Sequence, residues 1–180
     1  LEPEIDLAVV TTAIRSLPGV MKDCAKKGVK AVLLTREFAD TDELESEVMK
    51  ESLAIAKRAG VRVLGPNMLG LMRPVIGLNA SNYSAKVRPG NLALVAHSSA
   101  LCTAMLDWAE AKGIGFSSVI SMGESSDLDF GEILDYLVAD GYTQGILLHV
   151  HSIHDARRFM SSLRAAARGK PVVVIKSGRY

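Results

Sequence analysis

Short, continuous apolar runs alternate with amphipathic helical patterns along the whole chain, and this constrains its fold more than any other feature. The runs are Asp6–Val10, Val29–Thr35, Val61–Leu64, Asn91–Ala96, Ser118–Ser121, Gly145–Val150 and Pro171–Lys176. Apolar residues in succession, rather than in alternation, predict strands buried on both faces, which means parallel sheets covered by helices. Helical spacing predicts helices over Ser16–Lys27, Asp40–Ala59, Ser98–Lys112, Asp129–Ala139 and Asp155–Arg168. Capping boxes are expected at Asp40/Glu43 and Asp129/Glu132. The helix from Ser98 is expected to bury Leu101, Met105 and Trp108, and the helix from Asp155 to bury Phe159, Met160 and Leu163.

Between Leu71 and Gly90 the periodicity fades into Pro74, Gly77, Asn79, Asn82 and Pro89-Gly90. A stretch of that length with no element predicts a boundary, with one α/β unit over residues 1–70, a linker over 71–90 and a second unit over 91–180. The first unit has only three strands and two helices, which is marginal as an independent sheet. The chain opens on Leu1-Glu2-Pro3 without methionine and stops just after a strong strand. It therefore reads as a fragment whose missing N-terminal part carries the first βαβ of a Rossmann-like unit, the remaining open sheet edge offering a surface for homodimerisation.

A net charge of +1 with acids and bases interspersed gives no basic stripe, so nucleic acid is not expected as a partner. The apolar runs are too short to cross a membrane, and no signal-peptide pattern opens the chain, which fits a cytoplasmic protein. Cys24 and Cys102 stand alone inside helical patterns and read as core residues.

In an open parallel sheet, ligands sit beyond the carboxyl ends of strands where the strand order reverses. A flavodoxin-like order 2-1-3-4 in the second unit makes its first and third strands neighbours. Those strands end at His97-Ser98-Ser99 and at His149-Val150-His151, so all four histidines, His154 included, are expected to converge there. The first turn from Ser98 carries no acid, unlike the helices from Asp40 and Asp129. Two readings stand: a seat for phosphate or carboxylate, or a plain serine N-cap. His97, His149 and His151 could bring three nitrogens to a metal. No cysteine or carboxylate stands at metal-motif spacing, so no metal is expected. Gly113-Ile114-Gly115 reads as a helix stop and connector, Asp127 and Asp129 as capping residues. Arg157 and Arg158 read as either anion-facing or solvated.

Gly65-Pro66-Asn67-Met68-Leu69-Gly70, Gly77-Leu78-Asn79-Ala80 and the run from Pro89 to Val95 follow one another in a specific order. Leu106-Asp107-Trp108-Ala109, Ile133 to Leu137, Asp155 to Phe159 and Lys176 to Arg179 continue it. Together these resemble the α-subunit side of NDP-forming acyl-CoA synthetases and succinyl-CoA synthetase. The nearest likeness is to Pat-type protein-lysine acetyltransferases, which join a synthetase-like region to a GNAT domain. The resemblance implies an α/β chain with a partial Rossmann-like CoA-binding unit followed by a flavodoxin-like ligase domain. It implies a CoA or acyl-CoA ligand held by Thr11, Thr12, Ala13, Thr35, Arg36, Glu37, Asn67 and Met68. It also implies that a phosphohistidine's phosphate rests at Ser98, Ser99 and Ala100. The segment bearing that histidine and the ATP-grasp segment with its ATP or ADP are implied to lie outside this chain. Two departures are visible: Ser98-Ser99 replaces the usual Ser-Gly, and His151 replaces a glutamate that steadies the phosphohistidine. A neutral imidazole accepts less well than a carboxylate, and a charged one repels. The expectation is therefore a degenerate, regulatory ligase region of a Pat-type protein, inactive alone. The alternatives are part of an active ADP-forming acetyl-CoA synthetase, and a structural module without ligand.

Overall fold

The computed structural model describes residues 4–36 and 43–178. Three strands, β1 (Leu7–Val10), β2 (Ala31–Leu34) and β3 (Arg62–Leu64), form a parallel sheet in the order 1-2-3. Helices α1 (Leu17–Lys26) and α2 (Glu43–Ala59) cover one face. Val10, Val32, Leu34 and Val63 from the strands pack there on Leu17, Met21, Cys24 and Ile55. Asp40, the expected cap of α2, lies outside the described residues.

The opposite face carries Leu33 and Leu64, which belong to the core of the second unit together with Met68, Val95, Ile120 and Leu134. This shared core answers the shortage of burial expected of a three-strand unit.

The second sheet has six strands in the order β5-β4-β7-β6-β8-β9. Its parallel part is β6 (Pro89–Ala96), β7 (Phe116–Ser121), β8 (Gly145–Val150) and β9 (Val172–Lys176). Read in chain order this is 2-1-3-4, as the sequence suggested. The helices are α3 (Ser99–Ala111), α4 (Phe130–Ala139) and α5 (Ala156–Gly169).

The stretch expected to lack an element holds two strands, β4 (Gly70–Arg73) and β5 (Leu78–Ser81). They form an antiparallel hairpin, and β4 also pairs antiparallel with β7. Each strand has only four residues; β4 buries alternate side chains and β5 buries none fully, so neither shows a continuous apolar run. Pro74 and Gly77, read as loop residues, make the hairpin turn.

Two helix faces differ from expectation. Helix α3 buries Cys102, Leu106 and Ala109, while Trp108 is 59% exposed. Its apolar residues offer two stripes at helical spacing. The stripe with Cys102 and Ala109 lets the helix approach the sheet more closely. In α5, Phe159, Ser162 and Ala166 are buried, Leu163 packs at the core margin and Met160 is exposed. Among the described residues no helix is long and apolar enough to cross a membrane.

Candidate functional site

The carboxyl ends of both sheets face a common rim. Thr11, Thr12 and Ala13 follow β1 and are exposed. Thr35 follows β2 and is buried, and Arg36 beside it is exposed. Glu37 lies outside the described residues. Asn67 and Met68 follow β3, and Met68 is turned into the core at 2% exposure, leaving its backbone for any ligand.

A hydrogen-bonded seam joins this rim to the second unit. Residues 63–67 run beside residues 124–128. The Leu128 N–H donates to the Val63 carbonyl (3.2 Å), Ser126 N–H to Gly65 (3.2 Å) and Glu124 N–H to Pro66 (3.0 Å). Asp127 accepts the Val63 N–H (2.8 Å) and pairs with Arg62 (3.0 Å). Its role is to fasten β3 to the second unit, while Asp129 caps α4 in a complete capping box with Glu132. Glu132 also pairs with Arg62 (2.9 Å) and with Arg158 (3.5 Å), so Arg158 is engaged rather than free for an anion.

Asn67 is the pivot of the seam. Its N–H donates to the Arg36 carbonyl (3.1 Å), and its side-chain amide donates to Glu124. Its carbonyl accepts from the Ser99 hydroxyl (3.5 Å), which also meets Ser121 Oγ (3.4 Å). Ser121 Oγ in turn accepts the Leu69 N–H (3.0 Å). The loop after β3 thus touches the first turn of α3 directly.

At that turn the Ser98 hydroxyl accepts the Leu101 N–H (3.2 Å), so the capping geometry read from the sequence is present. First-turn N–H groups have no intrahelical acceptor, and here no acid complements them. Ser98→Ala is expected to lower stability by about 1 kcal/mol, measured as a shift in denaturant midpoint.

An open cleft of about 480 Å³ lies beside this turn, lined by all four histidines with Ser98, Gly123, Glu124 and Ser152. The convergence expected from strand order is what the structure shows. His97 Nδ1 accepts the His151 N–H (3.0 Å). His151 Nδ1 meets Ser177 Oγ (3.2 Å), and Lys176 Nζ donates to the His151 carbonyl (3.0 Å). Burial pushes the His97 imidazole down to about 4, with the neighbouring His151, His149, His154 and Lys176 adding to the effect. Burial, then His151, also lowers His149. Among the described residues no group of three His, Cys, Asp or Glu side chains is arranged to hold a metal ion.

Sequence reasoning missed Glu124 and Gly123. Both stand just past β7, a neighbour of β6 at the strand-order reversal, so the same topological rule covers them. Cys102 is fully buried and its thiol is pushed up to about 12 by burial, which removes it as a nucleophile.

Comparison with known proteins agrees with this geometry. Residues 1–74 match a CoA binding domain, and residues 89–180 match a succinyl-CoA ligase-like flavodoxin domain. The chain is 35% identical to the acetate–CoA ligase (ADP-forming) I subunit alpha of Pyrococcus furiosus over 98% of its length, spanning 38% of that relative. It is 38% identical to the acetate–CoA ligase (ADP-forming) of Methanocaldococcus jannaschii over 99% of its length, spanning 25% of that relative. The acetyl-coenzyme A synthetase 1 of Ca. Korarchaeum cryptofilum, solved with phosphate and ADP, superposes with a TM-score of 0.93 at 31% identity. That match covers 100% of this chain and 39% of the synthetase. These relatives are ligases and synthetases, and the expected link to Pat-type acetyltransferases finds no support among them. A CoA-binding unit sewn through Asn67 to a succinyl-CoA ligase-like flavodoxin domain places the chain in the NDP-forming acyl-CoA synthetase family.

Proposed function

We propose that the chain is the CoA-binding and ligase region of an ADP-forming acid–CoA ligase. In this reading the loops after β1, β2 and β3 hold CoA, and the first turn of α3 seats a phosphoryl group delivered from a part of the protein outside this chain. The observation that carries it is the seam through Asn67, which sets the CoA rim against the acid-free start of α3. An acid–CoA ligase must bring a thiol and a phosphorylated acid together, and the contact between the loop after β3 and the first turn of α3 supports this reading. Exposed Arg36 supplies a cation for a CoA phosphate, and Thr11 and Thr12 supply hydroxyl donors at the same rim. The helix start and its N–H groups favour the phosphoryl anion. ATP or ADP, and the further segments or subunits that bind them, complete the reaction elsewhere in a cytoplasmic enzyme.

Calorimetric titration of CoA into the protein tests the first half. Saturable binding is expected, weakened about tenfold in Arg36→Ala, the value of one charge-assisted contact. Absence of binding at millimolar CoA sinks the reading.

A second reading is favoured by His151, which stands where the family resemblance implies a carboxylate. Glu124 already bonds Asn67, and His97 is held neutral, so the cleft is poor in groups that steady a phosphohistidine. The region would then bind a CoA thioester without phosphotransfer, as a regulatory part of a Pat-type acetyltransferase. Incubating the complete protein with labelled ATP separates the two: acid-labile phosphohistidine supports the ligase, its absence the regulator.

A further inference from the structure

The turn at residues 151–154 has no regular hydrogen-bonded structure, yet it carries two of the cleft imidazoles. Its first residue is clamped from both sides of the peptide. Lys176 Nζ holds the His151 carbonyl, and the His97 ring, 54 positions away in the chain, holds the His151 N–H at 3.0 Å.

The His97 ring is itself fixed by two contacts. Its main-chain N–H donates to the His149 carbonyl (3.2 Å), extending the pairing of β6 with β8 by one residue. Its imidazole lies against Phe130, the first residue of α4, with ring centres 4.7 Å apart. An imidazole that accepts at Nδ1 and stays neutral must carry its proton on Nε2. The main-chain contact therefore dictates the tautomer.

We infer that His97 is a positioning residue of the anion cleft: by accepting the His151 N–H at Nδ1 it fixes the turn that presents His151 and His154 beside the start of α3. The inference rests on the anion seat proposed above. The charged and titratable groups facing His97 are His149 from β8, His151 and His154 from the turn, Lys176 from β9, Glu124 from the loop after β7, Asp129 from the start of α4 and Asp155 from the cap of α5. Protonation of Nδ1 would set donor against donor and release the turn. Burial against Phe130 resists this, so the turn stays latched across the neutral range.

Asparagine places Oδ1 as many bonds from Cα as Nδ1 stands in histidine, whereas leucine keeps bulk and loses the acceptor. Inorganic phosphate, titrated into wild type, His97→Leu and His97→Asn, is the probe. Phosphate affinity is expected to fall about tenfold in His97→Leu, the value of one lost buried acceptor, and to stay within about twofold in His97→Asn. In wild type, 15N NMR is expected to show His97 protonated on Nε2 and bare at Nδ1 from about pH 8 to about pH 5. Unchanged phosphate binding in His97→Leu, equal losses in both variants, or a proton on Nδ1 each overturns the inference. A wild-type protein that shows the Nε2–H form but takes up no phosphate defeats the anion seat instead.

Discussion

Gly123→Ala is expected to destabilise the protein by about 3 kcal/mol or more and to lower the melting temperature by about 6–12 °C. Gly123 has a left-handed φ of +56°, which costs a residue with a Cβ about 1–2 kcal/mol. The larger effect is steric. A Cβ there would stand 1.8 Å from the Pro66 carbonyl oxygen and 2.9 Å from its carbon, both main-chain atoms that cannot swing aside. Relief requires residues 65–67 and 122–124 to part, which breaks the Glu124-to-Pro66 hydrogen bond and the Asn67–Glu124 contact with it. Gly60→Ala is the matched control, since Gly60 has φ +71° and open space around it, leaving only the conformational cost. Calorimetric melting of both variants decides the matter. Equal losses would mean that the seam yields freely and that Gly123 does not set its spacing.

The second large effect is expected at Arg73 and Asp140. Arg73 lies on β4 and Asp140 just past α4, with side chains 16% and 5% exposed and a 2.7 Å contact. Arg73 lies over the rings of Tyr136 (5.5 Å) and Tyr142 (5.6 Å). Asp140 also accepts from the Thr143 hydroxyl (2.7 Å), which continues to Ser117 (2.8 Å). Removing one partner leaves the other charge unpaired at a largely buried position, so Arg73→Met is expected to cost about 3 kcal/mol. Urea unfolding monitored by circular dichroism should show the loss as a lower midpoint with an unchanged slope. The hairpin of β4 and β5 should also become the first segment to exchange amide hydrogens.

This pair carries a pH signature. Burial pushes the Asp140 carboxyl up, but hydrogen bonds from Arg73, Thr143 and the Tyr142 N–H outweigh it, and the net direction is down. A depressed carboxyl stabilises the fold fully above its unfolded value of about 3.9, and that contribution drains away as pH falls through the lower folded value. Wild-type stability should therefore drop more steeply below about pH 4 than that of Asp140→Asn. Parallel acid limbs would show that the Asp140 carboxyl binds its proton equally in the folded and unfolded chain, so that the Arg73 pair does not hold it charged.

Much of the architecture is written in local pattern. The parallel strands, five helices, the Asp129/Glu132 capping box and the meeting of four histidines all follow from residue spacing and one topological rule. The hairpin was not legible because four-residue strands, one with alternate burial and one with no fully buried residue, look like turns. The buried face of α3 was not legible because Leu101-Met105-Trp108 and Cys102-Leu106-Ala109 satisfy the same helical spacing. Only the fit against the sheet separates the stripe of smaller residues from the larger one.

For the site, the sequence by itself determined which residues stand at strand ends, because strand and helix periods are local properties of the chain. The tertiary structure alone decided which strand ends touch. Asn67 meets Glu124 and Ser99, Gly123 passes over Pro66, and His97 takes the His151 N–H, each across at least thirty residues of chain. Such contacts depend on how two sheets share one core, and no local periodicity records that choice.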